Sequence, residues 1–262
     1  MEVAQQRHMG GISMAIEHGR AGKSTRDLEV KRNINGLKVF LIGIAVTVVF
    51  CWAVTKFIVP HSKSVVAAFG ALVLVVILKT ALDIIESEAR KIKKLEGRAS
   101  RGAKAEEEIR DILSGLSDDY IIFHDIRSPY GNIDHVVFDR VNNRIFLLET
   151  KSHKGRIRFD GWKLSREGRP FEKDFIKQVS ENAKWLKETL EKETSTKVYV
   201  NPVIVFTNAY IENIGNAEKG FVKVVNKRDL IRIITGGMKN TKPPDLDTSQ
   251  AIYRALLQLV SS

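Results

Sequence analysis

The sequence predicts an α/β protein in which a mixed sheet follows two transmembrane helices. Two long apolar runs near the amino terminus, separated by a short polar segment, predict the membrane helices. Beyond them, short segments rich in β-branched and aromatic residues alternate with segments of helical periodicity. The order helix, three or more strands, helix and strand is typical of an α/β domain with a mixed sheet.

The apolar runs are Val39–Val59 and Val65–Ile85. Each has about 20 residues, which is enough to cross a hydrocarbon core of roughly 30 Å. A helix buried in a protein core usually keeps a polar stripe, and Phe40–Val54 has none. We therefore predict a transmembrane helical hairpin over residues 37–85.

Cations flank this hairpin on both sides, whereas its connecting loop, Pro60–Ser64, contains only Lys63. By the positive-inside rule, both termini are expected in the cytoplasm of a bacterium, with the chain crossing its inner (plasma) membrane more than once. Residues 1–36 are expected to be a flexible cytoplasmic arm and residues 86–101 a basic helical linker. The net charge of +11 suits an anionic partner, either DNA or anionic lipid head groups. The sequence predicts no oligomeric state.

The segment Gly19–Thr25 partly matches a phosphate-binding P-loop. That motif requires a glycine at the position occupied by Glu17. No strand is predicted before the segment, and a membrane helix is expected after it. We therefore interpret Gly19–Thr25 as a solvated basic segment.

Residues 102–262 are predicted to form a cytoplasmic domain with a carboxy-terminal extension. The helical pattern from Glu86 to about Gly115 is expected to break at Gly97 and at Ser100–Gly102. Strands are predicted at Tyr120–Ile126, Ile133–Asp139 and Arg144–Ser152, followed by a hairpin of Arg156–Phe159 and Trp162–Ser165. The remaining elements are a helix at Phe175–Lys192, strands at Val198–Phe206 and Phe221–Val225, a short helix at Lys227–Thr235 and a last helix ending at Leu259.

Two carboxylates and a lysine are expected to meet on one face of the sheet. Glu149 and Lys151 are two residues apart on a strand, so they share a face. Asp134 joins them if its strand pairs antiparallel with theirs across the turn Val141–Arg144. Mg²⁺ prefers oxygen ligands and keeps several waters, so Asp134 and Glu149 suffice to bind it, and Mn²⁺ can substitute. Lys151 would position the attacking water or stabilise the transition state, which indicates metal-dependent phosphodiester hydrolysis.

Other residues are candidates for supporting roles. Glu106 would add a ligand or orient a metal-bound water, although Glu106–Glu108 also fits a solvated helix face. Gln178 would hydrogen-bond the nucleophile or a phosphate. His135 and His153 are interpreted as packing or solvent-facing residues. The cations that would bind the phosphate backbone are Lys154, Arg156 and Arg158.

A set of ordered motifs lies between about residues 98 and 210. Its segments are Gly102–Glu106, Gly131–His135, Phe146–Lys151, Gly155 with Trp162, and Gln178 with Asn182. Taken together, these motifs resemble the nuclease-related (NERD) domain of the PD-(D/E)xK nuclease superfamily. The resemblance implies a restriction-endonuclease-like αβββαβ core and Mg²⁺-dependent cleavage of DNA. It also implies that Asp134, Glu149 and Lys151 form the catalytic triad, with Glu106 and Gln178 as the acidic and polar residues of the flanking helices.

The sequence also leaves two non-enzymatic functions open. The first is a catalytically inactive nuclease fold that binds nucleic acid or a protein at the membrane; loss of a triad residue would favour it, and none is lost. The second is a scaffold on the membrane surface, in which Arg90–Lys104 binds anionic lipid and the domain recruits partners.

Overall fold

The computed structural model describes residues 8–9, 12–53, 56, 65–160, 163–212, 221–236 and 246–261. The chain divides into two compact units, Thr25–Ser100 on the one hand and Met1–Ser24 with Arg101–Ser262 on the other. The helices are α1 (Lys23–Ala53), α2 (Val65–Leu113), α3 (Phe175–Thr194), α4 (Leu230–Thr235) and α5 (Leu246–Ser261), with a 3₁₀ turn at Lys227–Asp229. The strands are β1 (His8–Met9), β2 (Ile12–Ser13), β3 (Ile16–His18), β4 (Tyr120–Ser128), β5 (Gly131–Asp139), β6 (Arg144–Phe159), β7 (Leu164–Arg166), β8 (Arg169–Pro170), β9 (Val200–Glu212) and β10 (Lys223–Asn226).

The predicted transmembrane hairpin over residues 37–85 is not supported. The described parts of both apolar runs are helical, but each belongs to a longer helix with a charged half; α2, for example, continues through Glu86–Lys94. Among the described residues, no helix has both the length and the apolar character needed to cross a bilayer. The loop Pro60–Ser64 lies outside the described residues.

The predicted interruption of the helix at Gly97 and at Ser100–Gly102 is wrong, because α2 runs without interruption past Gly97 and Gly102. A glycine inside a helix costs about 1 kcal/mol relative to alanine. Burial of Ala99, Ala103 and Ala105 offsets this cost, since these small side chains are at most 6% exposed. Small side chains let neighbouring backbone approach α2 closely.

The sheet is mixed, and its strands lie in the order β10-β9-β6-β5-β4-β3. The pairs β4–β5 and β5–β6 are antiparallel, whereas β6–β9, β9–β10 and β3–β4 are parallel. Along the chain, α2, β4, β5, β6, α3 and β9 follow one another in the expected αβββαβ order. This architecture fits a nuclease-like fold.

Helices cover the two faces of the sheet. On one face, here called the inner face, α3 and α5 pack through residues such as Val179, Leu186 and Leu256. On the opposite face, α2 and α4 pack through residues such as Ile109 and Leu230. Both clusters are formed by side chains alternating along β4, β5, β6 and β9, which is the pattern of a sheet buried on both sides.

Residues before α1 take part in the sheet, in contrast to the expected flexible arm. Ile16–His18 pairs in parallel with β4 and therefore places a strand directly before Gly19. At the start of α1, the backbone N–H and the hydroxyl of Ser24 donate to the Asp125 carboxylate at 3.1 and 2.7 Å. Because a carboxylate of the same unit already occupies this helix start, Gly19–Ser24 is a structural connection and not a phosphate site.

We expect Gly19→Ala to destabilise the protein far more than Gly168→Ala. Both glycines have positive φ, at +82° and +75°. A Cβ at Gly19 would lie 2.5 Å from the backbone oxygen of His124, whereas a Cβ at Gly168 would meet nothing within 4 Å. Left-handed backbone costs an L-residue about 1 kcal/mol, and overpacking adds about 1–3 kcal/mol at Gly19 alone. Urea unfolding of both variants measures the difference, and equal losses would contradict the close approach.

Candidate active site

The structure brings Asp134, Glu149 and Lys151 together at adjacent positions of β5 and β6. The antiparallel register pairs His135 with Leu148, so Asp134 lies beside Glu149. The backbone N–H of Thr150 donates to Asp134 Oδ2 at 2.6 Å. Lys151 Nζ donates to Glu149 Oε1 at 2.5 Å, which makes an ion pair. The expected antiparallel pairing is confirmed, and the three side chains form one polar cluster.

Gln178 joins this cluster from α3. Its amide Nε2 donates to Glu149 Oε1 at 3.3 Å, the oxygen that also accepts from Lys151. The other carboxylate oxygen, Glu149 Oε2, is buried and has no hydrogen-bond partner among the described residues. Glu149 therefore has one saturated oxygen and one free oxygen, at a position where its side chain is 4% exposed.

Glu106 is buried at 7% exposure, so the alternative of a solvated face does not apply to it. Its neighbours on α2 differ, because Glu108 is 41% exposed in its side chain and pairs with Lys227. The charge of Glu106 acts on both Asp134 and Lys151. The helix before the sheet thus adds a third acid to the electrostatics of the cluster.

The neighbouring carboxylates raise the pKa of both Asp134 and Lys151, which favours the neutral form of Asp134 and the charged form of Lys151. Burial, and then repulsion by Glu149 and Glu106, raise the pKa of Asp134 well above its usual range. Burial lowers the pKa of Lys151, but attraction by Glu149, Asp134 and Glu106 outweighs it, and the net pKa is raised. Lys151 therefore stays charged at neutral pH, and the cluster carries an excess of negative charge that favours a cation.

A packed aromatic residue supports the lysine. The Phe175 ring at the start of α3 lies 4.6 Å from Lys151 Nζ, a cation–π distance. Phe175 is 7% exposed and Lys151 is 15% exposed in its side chain, so the ammonium is largely shielded from water. The sequence analysis missed Phe175, although its place at the first residue of an amphipathic helix was a usable signal.

The chain before Asp134 is held by an irregularity that the sequence did not reveal. The register pairs His124 with His135 and then Ile126 with Ile133, and Asp125 between them has φ +57°. The Asp125 carboxylate accepts from Asn132 Nδ2 at 2.9 Å. With Asp125 in the left-handed conformation, Ile126 and Ile133 point to the inner face, while the hydrogen bond to Asp125 holds the Asn132 side chain.

A second anchor connects the same turn to α3. The Ser128 hydroxyl lies 2.6 Å from both the Gly131 carbonyl and the Asn182 side-chain oxygen. Asn182 is fully buried, so this contact fixes the β4–β5 turn against the helix that carries Gln178. The two residues of the Gln178–Asn182 motif therefore act at different points, one on Glu149 and one on the turn before Asp134.

Lys154, Arg156 and Arg158 are not part of this cluster. They are exposed, and they alternate on β6 with Ile157 and Phe159, which belong to the inner-face cluster. The cations therefore lie on the opposite side of the strand from that cluster. Their predicted contact with a phosphate backbone stays a prediction.

Beside Asp134, two histidines are buried against each other. The Nδ1 atoms of His124 and His135 are 2.8 Å apart, and neither residue is more than 1% exposed. Burial, and then the positive charge of Arg110, lower the pKa of His124 to about 3. Burial and the neighbouring His124 lower the pKa of His135 well below its usual range. The pair confirms the expected packing role of His135 and is neutral at pH 7.

We expect the stability of the protein to fall as the pH drops from 6.5 towards 3. In that window the unfolded chain protonates His124 and the folded chain does not, so folding loses about 1.4 kcal/mol per pH unit for this residue. Replacing His124 with Asn, which keeps a polar partner for His135, should reduce this dependence. Urea unfolding at pH 7.5, 6.5 and 5.5 measures the slope, and an unchanged slope in His124→Asn would contradict the assignment.

Comparison with protein families agrees with this geometry. The profile of the nuclease-related domain, NERD, matches residues 101–207. Residues 101–207 therefore match a NERD domain. The match runs from α2 to the middle of β9 and includes every residue of the polar cluster. No curated protein and no solved structure matches the chain. The NERD domain indicates a nuclease-related function, and the αβββαβ order places its cluster where β5, β6 and α3 meet.

Proposed function

We propose that the NERD domain of this chain hydrolyses DNA phosphodiester bonds with a divalent cation, Mg²⁺ or Mn²⁺, bound by Asp134 and Glu149. The observation that carries this proposal is the convergence of the buried Glu149, the half-buried Asp134 and a charged lysine at adjacent positions of β5 and β6. Such a set of residues can bind a cation and stabilise an anionic transition state at the same point.

The residues fit a hard cation. Glu149 Oε2 is a buried oxygen with no hydrogen-bond partner in the described part of the chain. Burial, and then repulsion by Glu149 and Glu106, raise the pKa of Asp134, and a bound cation would offset both effects. Among the described residues, no three or more His, Cys, Asp or Glu side chains are grouped so that they could hold a metal. Mg²⁺ needs only one or two carboxylates because it keeps several waters.

A bound cation would lower the pKa of an attacking water and offset charge on the phosphoryl group. The protein's own residues do the rest. Lys151, charged at neutral pH, stabilises the developing negative charge, and Phe175 shields it from water. Gln178 fixes Glu149 through the oxygen shared with Lys151. Glu106 adds negative charge that strengthens cation binding.

Cleavage of plasmid and linear DNA by the full chain, with Mg²⁺, Mn²⁺ or EDTA, tests the proposal. Nicking or linearisation that requires a divalent cation and is abolished by EDTA is the expected result. DNA binding without cleavage under all three conditions would instead favour the alternative of an inactive nuclease fold. Absence of both binding and cleavage would contradict the nuclease and would leave, for the inactive nuclease fold, only the binding of a protein.

The location at a bacterial inner membrane, the cytoplasmic termini and the binding of anionic lipids by Arg90–Lys104 stay predictions. Fractionation of cells that produce the tagged chain tests the location. A salt-sensitive shift of the chain to vesicles containing phosphatidylglycerol tests the lipid contact, because surface electrostatic binding weakens as salt screens it.

A further inference from the structure

Beyond the core of the sheet, β6 and β9 continue side by side as a two-stranded extension. In its parallel register, Lys154 pairs with Asn208, Arg156 with Tyr210, and Arg158 with Glu212. Paired residues of a parallel ladder point to the same side of the sheet. Ile157 of β6 and Ala209 and Ile211 of β9 belong to the inner-face cluster, so the six paired residues stand on the other side.

This side of the extension, here called the outer face, is open and basic. Lys154, Arg156 and Arg158 are all exposed, and cations on alternate residues stand roughly 7 Å apart. Arg156 is partly neutralised, because it lies 3.6 Å from Glu167 and 3.7 Å from Glu212. Within the described residues, Lys154 and Arg158 have no ion-pair partner. The outer face thus presents a row of three cations, of which the first and the last, Lys154 and Arg158, have no acidic partner among the described residues.

An aromatic ring stands in the middle of this row. Tyr210 is 65% exposed and lies directly beside Arg156 in the register. A tyrosine on a strand usually packs against its neighbours, but no ring contact involves Tyr210 among the described residues. Its flat face is available to a ligand.

A groove of about 470 Å³ opens along the same stretch of β9. Its far wall is the 3₁₀ turn after β10, which contributes Lys227 and the exposed Arg228. Lys227 is already paired with Glu108, so Arg228 is the cation of this wall that remains exposed. The groove therefore combines polar groups, the Tyr210 ring and positive charge.

From this arrangement we propose that the outer face and its groove bind single-stranded DNA, with an unpaired base stacked on Tyr210. Phosphates of the strand lie along Lys154 and Arg158, and Arg228 borders the groove. A duplex keeps its base faces stacked internally and cannot offer one to Tyr210, whereas every unpaired base has a free π-face. A lipid surface needs cations but gains nothing from a polar groove beside an aromatic ring.

This site deepens the proposed function, since it names a DNA with a single-stranded segment as the preferred substrate, but the binding itself does not depend on catalysis. The outer face lies across the sheet from the catalytic cluster. Lys154 is three residues from Lys151, which is roughly 10 Å along the strand. A DNA strand bound on the outer face is therefore close to the polar cluster, which it can reach by passing around the end of the sheet.

Fluorescence anisotropy of the full chain in EDTA, with labelled oligothymidylate and with a duplex of equal length, tests the proposal. Tyr210→Ala is expected to weaken binding of the single strand roughly 10-fold or more, while Tyr210→Phe retains it. The matched control is Tyr199→Ala, because Tyr199 is 75% exposed just before the start of β9. This control should bind as the wild type does.

A second variant keeps the test independent of the folding of Tyr210→Ala. Lys154→Ala with Arg158→Ala should make the salt dependence of binding shallower by about 0.7 in log–log slope per lost phosphate contact. Equal binding by Tyr210→Ala and Tyr199→Ala, or a wild-type preference for the duplex, would overturn the inference. Variants that lose only binding to anionic vesicles would overturn it in favour of lipid.

The two proposals fail in different ways. Single-strand binding that depends on Tyr210, together with no metal-dependent cleavage by the wild type, would overturn the proposed function alone. Metal-dependent cleavage together with single-strand binding that is indifferent to Tyr210 would overturn the inference alone.

Discussion

Lys151→Ala is expected to abolish metal-dependent cleavage and to destabilise the protein at the same time. Loss of a positioned charge at the transition state lowers kcat by about 10²–10³. The variant also leaves Glu149 buried without its cation, and breaking a buried pair in this way costs about 3 kcal/mol. Single-turnover cleavage and urea unfolding measure the two effects on the same preparation.

A double variant separates chemistry from stability. In Lys151→Ala with Glu149→Gln, the unpaired buried charge is gone and Gln178 still has an oxygen to bond. Stability should therefore recover towards that of the wild type while cleavage stays absent. Lys173→Ala is the control, because Lys173 is an exposed lysine two residues before Phe175 and should change neither quantity. Normal cleavage by Lys151→Ala would show that Lys151 has no role in the mechanism.

The polar cluster of Asp134, Glu149 and Lys151 was predictable because two simple rules determine it. The two-residue period of a strand puts Glu149 and Lys151 on one face, and a tight hairpin fixes which residue of β5 stands opposite. Gln178 was a candidate from its place one turn into the later helix, and the family motif supported it, because one glutamine in an amphipathic helix carries little signal alone. The sequence alone does not show that Glu106 is buried, because the run Glu106–Glu108 fits a solvated helix face equally well.

Other features depend on contacts that no local pattern encodes. The strand Ile16–His18 has only three residues and is held by pairing with β4, so it leaves no periodicity. Asp125 adopts φ +57° because two residues hydrogen-bond its carboxylate. Ser24 is distant in sequence, and Asn132 lies across the β4–β5 turn. The uninterrupted course of α2 past Gly97 likewise depends on the packing of neighbouring alanines.

The position of the outer-face cations depends on an irregularity that the sequence does not show. The prediction ended one strand at Ser152 and began another at Arg156. In the structure β6 is continuous from Arg144 to Phe159, but its pairing with β9 shifts in register between Lys151 and Lys154. The alternation of faces cannot be counted across such a shift, so the side of the cations follows from their neighbours Ile157 and Phe159, which belong to the inner-face cluster.

Asp134→Asn is expected to abolish cleavage and yet to stabilise the metal-free protein. The asparagine side chain has nearly the same volume as that of Asp134 and keeps an oxygen to accept the N–H of Thr150, which now donates at 2.6 Å. The substitution removes a carboxylate whose pKa is raised by burial and by repulsion from Glu149 and Glu106. Removal of that penalty should raise the unfolding free energy of the metal-free protein.

The pH dependence of this gain identifies its cause. An acid with a raised pKa in the folded state contributes least to stability at high pH, because the unfolded chain releases its proton from about pH 4 upwards and the folded chain resists doing so. The advantage of Asp134→Asn should therefore be larger at pH 7.5 than at pH 4.5. Asp83→Asn, which changes an exposed carboxylate, serves as the control and should show no such trend.

Addition of Mg²⁺ should reverse the order of stability. A cation that binds only the folded protein raises its Tm in proportion to the logarithm of its concentration above Kd. Wild-type protein should gain Tm on addition of Mg²⁺, whereas Asp134→Asn, with one charged ligand fewer, should gain little. If both proteins responded equally, Asp134 would not be a ligand, and the raised pKa of its carboxyl group would be a feature of the fold alone.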